Sequence, residues 1–175
     1  SRCGNLAQLL SIFNRRNPKG KQKNDDSILQ RAKKLGITLK RQGTIYEAKF
    51  VVEALERGLD PHPCPGEYLA HDFLVTNSAG EVYKTQVKGT ACEDLARRRT
   101  KRYKILATTG NKVKTALDCT KVDLLVAYVE PSNAWYVIPC MQLARKTIWL
   151  YPDNPKSVAQ YEKYKEKWNL FKGEL

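Results

Sequence analysis

A near-continuous apolar run at residues 122–129 constrains the fold of this chain more than any other feature. A run of that length and composition predicts a β-strand that is buried on both faces. A turn at residues 131–133 and a further strand at 135–138 follow it, and Pro139 ends that strand. Together with the helical patterns on either side, these strands predict an α/β or α+β fold in which helices flank a mixed β-sheet.

A β-hairpin is predicted over residues 68–88, and it carries three polar side chains in unusual places. Two strand patterns flank a turn pattern at residues 77–80. Because side chains alternate along a strand, Gln86 and Lys88 share one face, while Asp72 lies mid-strand among apolar residues. These residues suit a core poorly, but they suit a divalent metal and a water held against a phosphate. The pattern therefore indicates metal-dependent cleavage of nucleic acid.

An amphipathic helix is predicted from Thr44 to Arg57, with Glu47 near its start. One interpretation is that Glu47 closes the helix end, since Thr-x-x-Glu is the spacing of a capping box. The other is that Glu47 supports the metal site, since a carboxylate near the apolar stripe of a helix requires a partner. The pattern leaves both interpretations open.

The C-terminus is predicted to close with an aromatic-rich helix. Asn154 is placed as the N-cap, Pro155 at the first helical position, and aromatic residues recur at helical spacing as far as Phe171. This stripe is interpreted as core packing, or in part as a subunit interface.

Basic residues outnumber acidic residues, and they cluster. The chain has 31 Lys and Arg against 18 Asp and Glu, a net charge of +13 that is typical of a protein binding a polyanion. A basic N-terminal extension with short helices is predicted over residues 1–42, followed by a compact domain over 43–175. The residues predicted to contact the phosphate backbone are Arg15, Arg16 and Lys19 in the extension, and Arg97, Arg98, Arg99, Lys101 and Arg102 after the hairpin.

The sequence also argues against several classes of protein. It has no stretch long enough to span a membrane and no secretory signal pattern, so we expect an intracellular protein, cytoplasmic or nucleoid-associated, with organelle targeting left open. The five cysteines are scattered without a CxxC pair, and we predict free thiols in a reducing compartment. With only two histidines, a bound metal is expected to be a hard ion held by oxygen, Mg²⁺ or Mn²⁺.

The order of Glu47 on a helix, Asp72 on one hairpin strand and Gln86-Val87-Lys88 on the next resembles the PD-(D/E)XK nuclease superfamily. Within it, the chain is most similar to the small nucleases associated with group I introns, which likewise carry Gln-x-Lys. It departs from the signature at two places: a histidine precedes Asp72 where the signature has Pro, and Gln86 replaces the second acid. The resemblance implies a restriction-endonuclease-like fold with a mixed sheet flanked by helices.

The resemblance also implies a role for each of these residues. Asp72 is expected to be the main anionic ligand of Mg²⁺, for which Mn²⁺ substitutes, while Gln86 and the Val87 carbonyl add neutral oxygen ligands. Glu47 is expected to hold a water on the metal or a second ion. Lys88 is expected to orient the attacking water and to stabilise charge on the phosphate. The implied products carry a 5′-phosphate and a 3′-hydroxyl.

Three hypotheses for the function follow. The first is a site-specific, double-strand DNA endonuclease of the homing type, acting as a homo-oligomer, either dimer or tetramer, because one site cuts one strand. The second is a structure-specific nuclease such as a Holliday-junction resolvase, which junction binding would separate from the first. The third is a DNA-binding module in which Gln86 marks lost catalysis, and the test is whether Mg²⁺ or Mn²⁺ produces cuts in plasmid DNA.

Overall fold

A mixed β-sheet with a long helix against it forms the framework of the chain. The computed structural model describes residues 39–65, 69–94, 101–110 and 113–172, with side chains from residue 42 onward. The regular elements in chain order are helix α1 (Leu39–Glu56) and strands β1 (Asp60–Pro63), β2 (Phe73–Thr76), β3 (Val82–Thr90), β4 (Tyr103–Leu106), β5 (Thr108–Thr109), β6 (Thr115–Ala116), β7 (Leu124–Val129), β8 (Ala134–Pro139) and β9 (Thr147–Leu150).

Five strands form the main sheet in the order β1-β2-β3-β7-β8, and β4-β9 and β5-β6 form two-stranded sheets. Within the main sheet, β3 and β7 are parallel, and all other neighbours are antiparallel. The sheet is therefore mixed, and the predicted fold class is confirmed.

Strand β7 lies at the centre of the packing, as its apolar sequence predicts. Every residue of the strand is buried, because both faces of the main sheet are covered. On one face, Phe50 of α1 belongs to the same hydrophobic cluster as Val126. On the other face, Ile105 of β4 and Ile148 of β9 belong to a cluster with Leu125. Burial of apolar surface, worth roughly 25 cal/mol per Å², is the main stabilising contribution in such a layered fold.

The predicted hairpin is formed by β2 and β3, but β2 is shorter than its sequence pattern. Asn77 holds the turn, because its Oδ1 accepts hydrogen bonds from the N–H groups of Ala79 and Glu81, both at 2.9 Å. Strand β2 begins at Phe73, so Asp72 immediately precedes the strand instead of lying within it. The prediction failed there because the next N–H of β3, that of Val87, donates its hydrogen bond to the Asp72 carboxylate and not to a backbone carbonyl.

Helix α1 begins at Leu39 and ends at Glu56. Thr44 therefore lies inside the helix and does not cap it, and Glu47 is well beyond the first turn. The capping interpretation of Glu47 is wrong. The residues between Leu39 and Thr44 are basic, polar or glycine, and without an apolar stripe they gave no periodic signal for an earlier start.

The predicted C-terminal α-helix is wrong. The segment instead contains two 3₁₀ turns, Glu162–Tyr164 and Trp168–Lys172, because it follows the open edge of β8. Glu166 N–H donates to Trp135 O at 2.8 Å, and Trp135 N–H donates to Glu166 Oε1 at 2.8 Å. The predicted helical stripe is buried in part, as core. Its aromatic residues Trp168 and Phe171 are buried, whereas its first residue, Val158, is 99% exposed.

A disulfide bond joins Cys119, in the loop before β7, to Cys140, just after β8. The prediction of free thiols is therefore wrong for these two cysteines. They are 21 residues apart in sequence and meet only when β7 and β8 pair, so their spacing gave no signal. Cys64 is a free thiol.

The predicted basic extension falls outside the described residues, apart from the start of α1. The chain divides into two compact units, Ser1–Ile45 and Tyr46–Leu175, and the sheet belongs to the second. The boundary at residue 42 and the phosphate contacts of Arg15, Arg16 and Lys19 remain predictions. No helix among the described residues has the length and apolar character that crossing a membrane requires.

Candidate active site

Asp72 stands where β2 separates from β3. Its backbone N–H donates to Thr85 O at 2.9 Å, as in a continuing ladder. The next donor along β3, the N–H of Val87, instead bonds the side-chain Oδ2 of Asp72 at 2.8 Å. Gln86 Nε2 donates to the same oxygen. No described residue donates a hydrogen bond to Oδ1, so that oxygen is available to a ligand.

Gln86 and Lys88 occupy one face of β3, as strand alternation predicts. Gln86 is 3% exposed, and its bond to Asp72 satisfies the buried amide. Lys88 is half-buried, and its amine makes no hydrogen bond or ion pair with any described residue. Burial lowers the pKa of Lys88, the charge of Asp72 acts in the opposite direction, and nearby Lys114 lowers the pKa further. The N–H donors of the Lys88 amine can therefore bind a ligand.

Tyr46, the neighbour of Glu47, fixes the position of α1 over the sheet. Its ring lies so close to Gly89 that a Cβ added there would come within 2.2 Å of Tyr46 Cδ2. The Tyr46 hydroxyl donates to Glu130 Oε2 at 3.2 Å, just after β7. Helix α1 is thereby held against the ends of β3 and β7, which brings Glu47 close to Lys88.

Glu47 interacts electrostatically with both Asp72 and Lys88. Burial raises the pKa of Glu47, the negative charge of Asp72 raises it further, and the positive charge of Lys88 lowers it. Asp72 can disfavour ionisation of Glu47 only if the two carboxylates lie close together. A cation placed between them would relieve their repulsion.

The oxygen atoms of this cluster are the ligands that hard divalent cations prefer. Asp72 and Glu47 offer carboxylates, Gln86 offers an amide oxygen, and Val87 offers a carbonyl that Gln86 Nε2 contacts at 3.4 Å. Within the described ranges, no three His, Cys, Asp or Glu side chains form a group that could hold a metal ion. Neutral oxygens and water must therefore complete a coordination shell here, and the available Asp72 oxygen fits that requirement.

The basic residues after the hairpin are only partly described. Lys101 is exposed and is free to meet a phosphate backbone. Arg102 pairs with Asp94 at 2.5 Å, and its guanidinium lies 3.9 Å from the centre of the Trp149 ring, so it also holds β4 and β9 together. Arg97, Arg98 and Arg99 lie outside the described residues, and their contacts remain predictions.

Sequence reasoning missed the residues that position the helix over the site. Tyr46, Gly89 and Glu130 carry no chemistry of their own, and each is unremarkable in its local pattern. One signal was present: a glycine that directly follows Lys88, near the end of a strand, indicates close approach of another backbone or side chain.

Comparison with known proteins agrees with this fold. The family model described as PD-(D/E)XK endonuclease matches residues 37–171. A comparison with curated protein sequences found no match. Among solved structures, a bacterial homing endonuclease, I-Ssp6803I, superposes with a TM-score of 0.62 at 23% identity, covering 78% of this chain and 95% of that chain.

A second solved structure is Hjc, a Holliday junction resolvase from Archaeoglobus fulgidus. It aligns with a TM-score of 0.47 at 14% identity, covering 77% of this chain and 98% of that chain. The likeness to I-Ssp6803I concerns the fold, which is that of the restriction-endonuclease-like sheet proteins.

Proposed function

Because the chain belongs to the PD-(D/E)XK endonuclease family, we propose that it hydrolyses phosphodiester bonds of double-stranded DNA with a divalent cation, at defined sites, as a homing-type endonuclease. One observation carries the proposal. Asp72 is hydrogen-bonded to Gln86 and Val87, and it interacts electrostatically with both Glu47 and Lys88. All the residues that the chemistry needs are thus linked through a single carboxylate.

Four residues hold the cation in this proposal: Asp72, Glu47, Gln86 and Val87. Mg²⁺ is the expected ion, with Mn²⁺ as a substitute. Such an ion lowers the pKa of a water molecule and neutralises charge on the phosphate. Two hydrogen bonds already fix Asp72 Oδ2, so the carboxylate presents Oδ1 in one orientation. Gln86 would offer its oxygen after rotation of its amide, and the Val87 N–H would then hold Asp72 Oδ2 alone.

Lys88 acts on the phosphate and on the attacking water. Its amine interacts electrostatically with Asp72 and Glu47, and no described residue competes for its hydrogen bonds. A half-buried amine stabilises charge that develops on the phosphate more strongly than an exposed one, because water screens it less. The products of this attack carry a 5′-phosphate and a 3′-hydroxyl.

The homing-type assignment draws on the Gln-x-Lys pattern and on the fold likeness to I-Ssp6803I. The described residues form one such site, so a double-strand break requires two sites that act on opposite strands. We therefore propose that the active form is a homo-oligomer, with subunits related by symmetry.

The test is a nicking assay on supercoiled plasmid DNA with Mg²⁺ or Mn²⁺. Asp72→Ala and Lys88→Ala are each expected to reduce the rate about 100- to 1000-fold or more, because each removes charge stabilisation from the transition state. Gln86→Ala is expected to have a smaller effect, since water can replace a neutral ligand. DNA binding by the variants is expected to stay close to that of the original chain.

Asp60→Ala and Lys167→Ala serve as controls of the same residue types, since both side chains are exposed and neither belongs to the cluster. The proposal is wrong if the original chain cuts no DNA in either Mg²⁺ or Mn²⁺. It is also wrong if the Asp72 and Lys88 variants cut as the controls do. A chain that binds DNA and never cuts it would be a DNA-binding module.

A further inference from the structure

A cavity of about 700 Å³ opens beside the candidate active site. Its polar lining comes from three parts of the chain: the residue before Asp72, strand β3, and the β5–β6 hairpin with the loop after it. The side chains that carry the argument are His71, Lys84, Thr109, Thr115, Asp118 and Lys121. Leu69, Ala70 and Ala116 add an apolar part to the wall.

Residues that line the cavity are close neighbours of the catalytic residues along the chain, and the cavity is also lined by lysines. His71 directly precedes Asp72, and Lys84 lies two residues before Gln86, on the same face of β3. The β5–β6 hairpin forms the facing wall. Its Lys114 lies close enough to Lys88 to lower the pKa of that amine, so the hairpin borders the catalytic residues as well as the cavity.

A side-chain hydrogen bond links the two sides of the β5–β6 hairpin. Lys114 Nζ donates to Gly110 O at 2.6 Å across the turn. Gly110 has φ +88°, and a Cβ there would come within 2.4 Å of Val113 O, so only glycine fits. Thr109 and Thr115 are paired across the two strands, which places their side chains on the same side. Their hydroxyls form a pair of hydrogen-bond donors at the cavity.

The cavity presents positive charge and donors to a ligand. The Lys84 amine has no hydrogen-bond or ion-pair partner among the described residues. Lys121 Nζ lies 3.3 Å from Asp118 Oδ2, so this lysine balances the negative charge of the one carboxylate that lines the cavity. Asp118 Oδ1 is also occupied, because it accepts hydrogen bonds from the N–H and the hydroxyl of Thr120, at 3.1 Å and 2.7 Å.

His71 contributes one further donor or acceptor. Its Nδ1 lies 3.1 Å from Lys121 O, and a carbonyl oxygen can only accept, so Nδ1 carries a proton. The other ring nitrogen, Nε2, is then left for a ligand. The PD-(D/E)XK signature has a proline at this position, which offers no such group.

We propose that this cavity holds one or two nucleotides of the DNA strand that flanks the scissile phosphate, with Lys84 and Lys121 against its backbone and His71 Nε2 accepting a hydrogen bond from a base amino group. The proposal rests on the proposed function, because it assigns a substrate segment to the same site. The volume exceeds that of a single phosphate and is in the range of small-ligand pockets, roughly 300–1000 Å³. The cationic and hydroxyl groups match backbone phosphates, and the apolar wall matches the sugar.

The first measurement is equilibrium binding of a short fluorescent duplex in EDTA, over a range of salt concentrations. Lys84→Ala and Lys121→Ala are each expected to reduce the slope of log K against log salt by about 0.9, the value for one lost phosphate contact. Lys167→Ala is the matched control, since it removes an exposed lysine that does not line the cavity. Slopes for Lys84→Ala and Lys121→Ala equal to that of Lys167→Ala overturn the proposal.

His71 is tested by a pair of variants of similar size. In His71→Gln the side-chain amide reaches the position of Nε2, whereas in His71→Asn it reaches only the position of Nδ1. We expect the glutamine variant to bind the duplex nearly as well as the original chain and the asparagine variant to bind it more weakly. Equal affinities of these two variants contradict a contact through Nε2.

The nicking assay separates failure of this proposal from failure of the proposed function. If no metal supports cutting while Lys84→Ala and Lys121→Ala still reduce the salt slope, the cavity binds DNA and the nuclease proposal is wrong. If the original chain cuts DNA and these variants have the KM and salt slope of Lys167→Ala, the cavity proposal is wrong. A chain that binds no duplex contradicts both.

Discussion

At the scale of single residues, the site holds two carboxylates in an arrangement that is unfavourable without a cation. Asp72 is fixed by hydrogen bonds from β3, and Glu47 is fixed by the packing of α1. The charge of Asp72 disfavours ionisation of Glu47, and burial of Glu47 adds to the effect. Such a pair is expected to reduce the stability of the metal-free protein, as strained functional sites commonly do.

This strain predicts the pH dependence of stability. The pKa of Glu47 in the folded chain lies above its ordinary value of 4.5. Between 4.5 and that raised value the folded state binds more protons than the unfolded state, so stability decreases as pH rises through this window. Glu47→Gln removes the ionisation, so the variant is expected to be more stable than the original chain at neutral pH and to show a flatter pH profile.

The measurement is urea unfolding in EDTA at a series of pH values, with Glu56→Gln, an exposed change in the same helix, as the control. Adding Mg²⁺ is expected to raise the midpoint of thermal unfolding of the original chain more than that of Glu47→Gln, because the ion binds only the folded state. Identical pH profiles for Glu47→Gln and the original chain would contradict the electrostatic description of the site.

At the scale of elements, the contact between α1 and β3 depends on the missing side chain of Gly89. An added methyl group in Gly89→Ala would overlap the Tyr46 ring, and overpacking of this kind typically destabilises by about 1–3 kcal/mol. Since Tyr46 adjoins Glu47, we also expect slower DNA cleavage. Urea unfolding and the nicking assay measure the two effects.

Gly43→Ala is the matched control in the same helix. No heavy atom lies within 4 Å of a Cβ built there, and alanine is favoured over glycine inside a helix by roughly 0.5–1 kcal/mol. This variant is therefore expected to be slightly more stable and to cut normally. If Gly89→Ala behaves in the same way, the Tyr46 contact does not position the helix.

Local patterns predicted those elements whose local and tertiary requirements agree. The apolar sequence of β7 matches its burial on both faces, and the alternation of Gln86 and Lys88 matches the pairing of β3. The same patterns failed where a tertiary contact decides the conformation. The aromatic spacing before Phe171 is helical, but the hydrogen bonds between Glu166 and Trp135 hold that segment along β8 instead.

The candidate site was likewise predictable only in part. Asp72, Gln86 and Lys88 belong to one hairpin, so the local strand and turn patterns were enough to predict that they lie close together. The position of Glu47 depends on Tyr46 packing against Gly89, which lies more than one element away along the chain. Sequence periodicity does not indicate such a long-range contact, so it left capping and metal binding equally open as interpretations of Glu47.

At the scale of the whole molecule, the single site that the described residues form predicts that paired cuts require more than one subunit. Sedimentation at the protein concentration of the cleavage assay is expected to show a dimer or a tetramer. Mixing the original chain with Asp72→Ala is expected to increase nicked plasmid relative to linear plasmid, because mixed oligomers cut one strand. A monomer that makes paired cuts would contradict this prediction.

The two outer strands of the main sheet limit how such subunits can meet. Strand β1 carries prolines at positions 61 and 63, and a proline is accepted in an edge strand only where its missing N–H faces away from the neighbour. On the opposite side of the sheet, Glu166 forms hydrogen bonds with both the N–H and the carbonyl of Trp135 in β8. Neither margin of the main sheet offers a regular row of donors and acceptors to another chain, so these two edges are protected against fibril-like growth by strand addition.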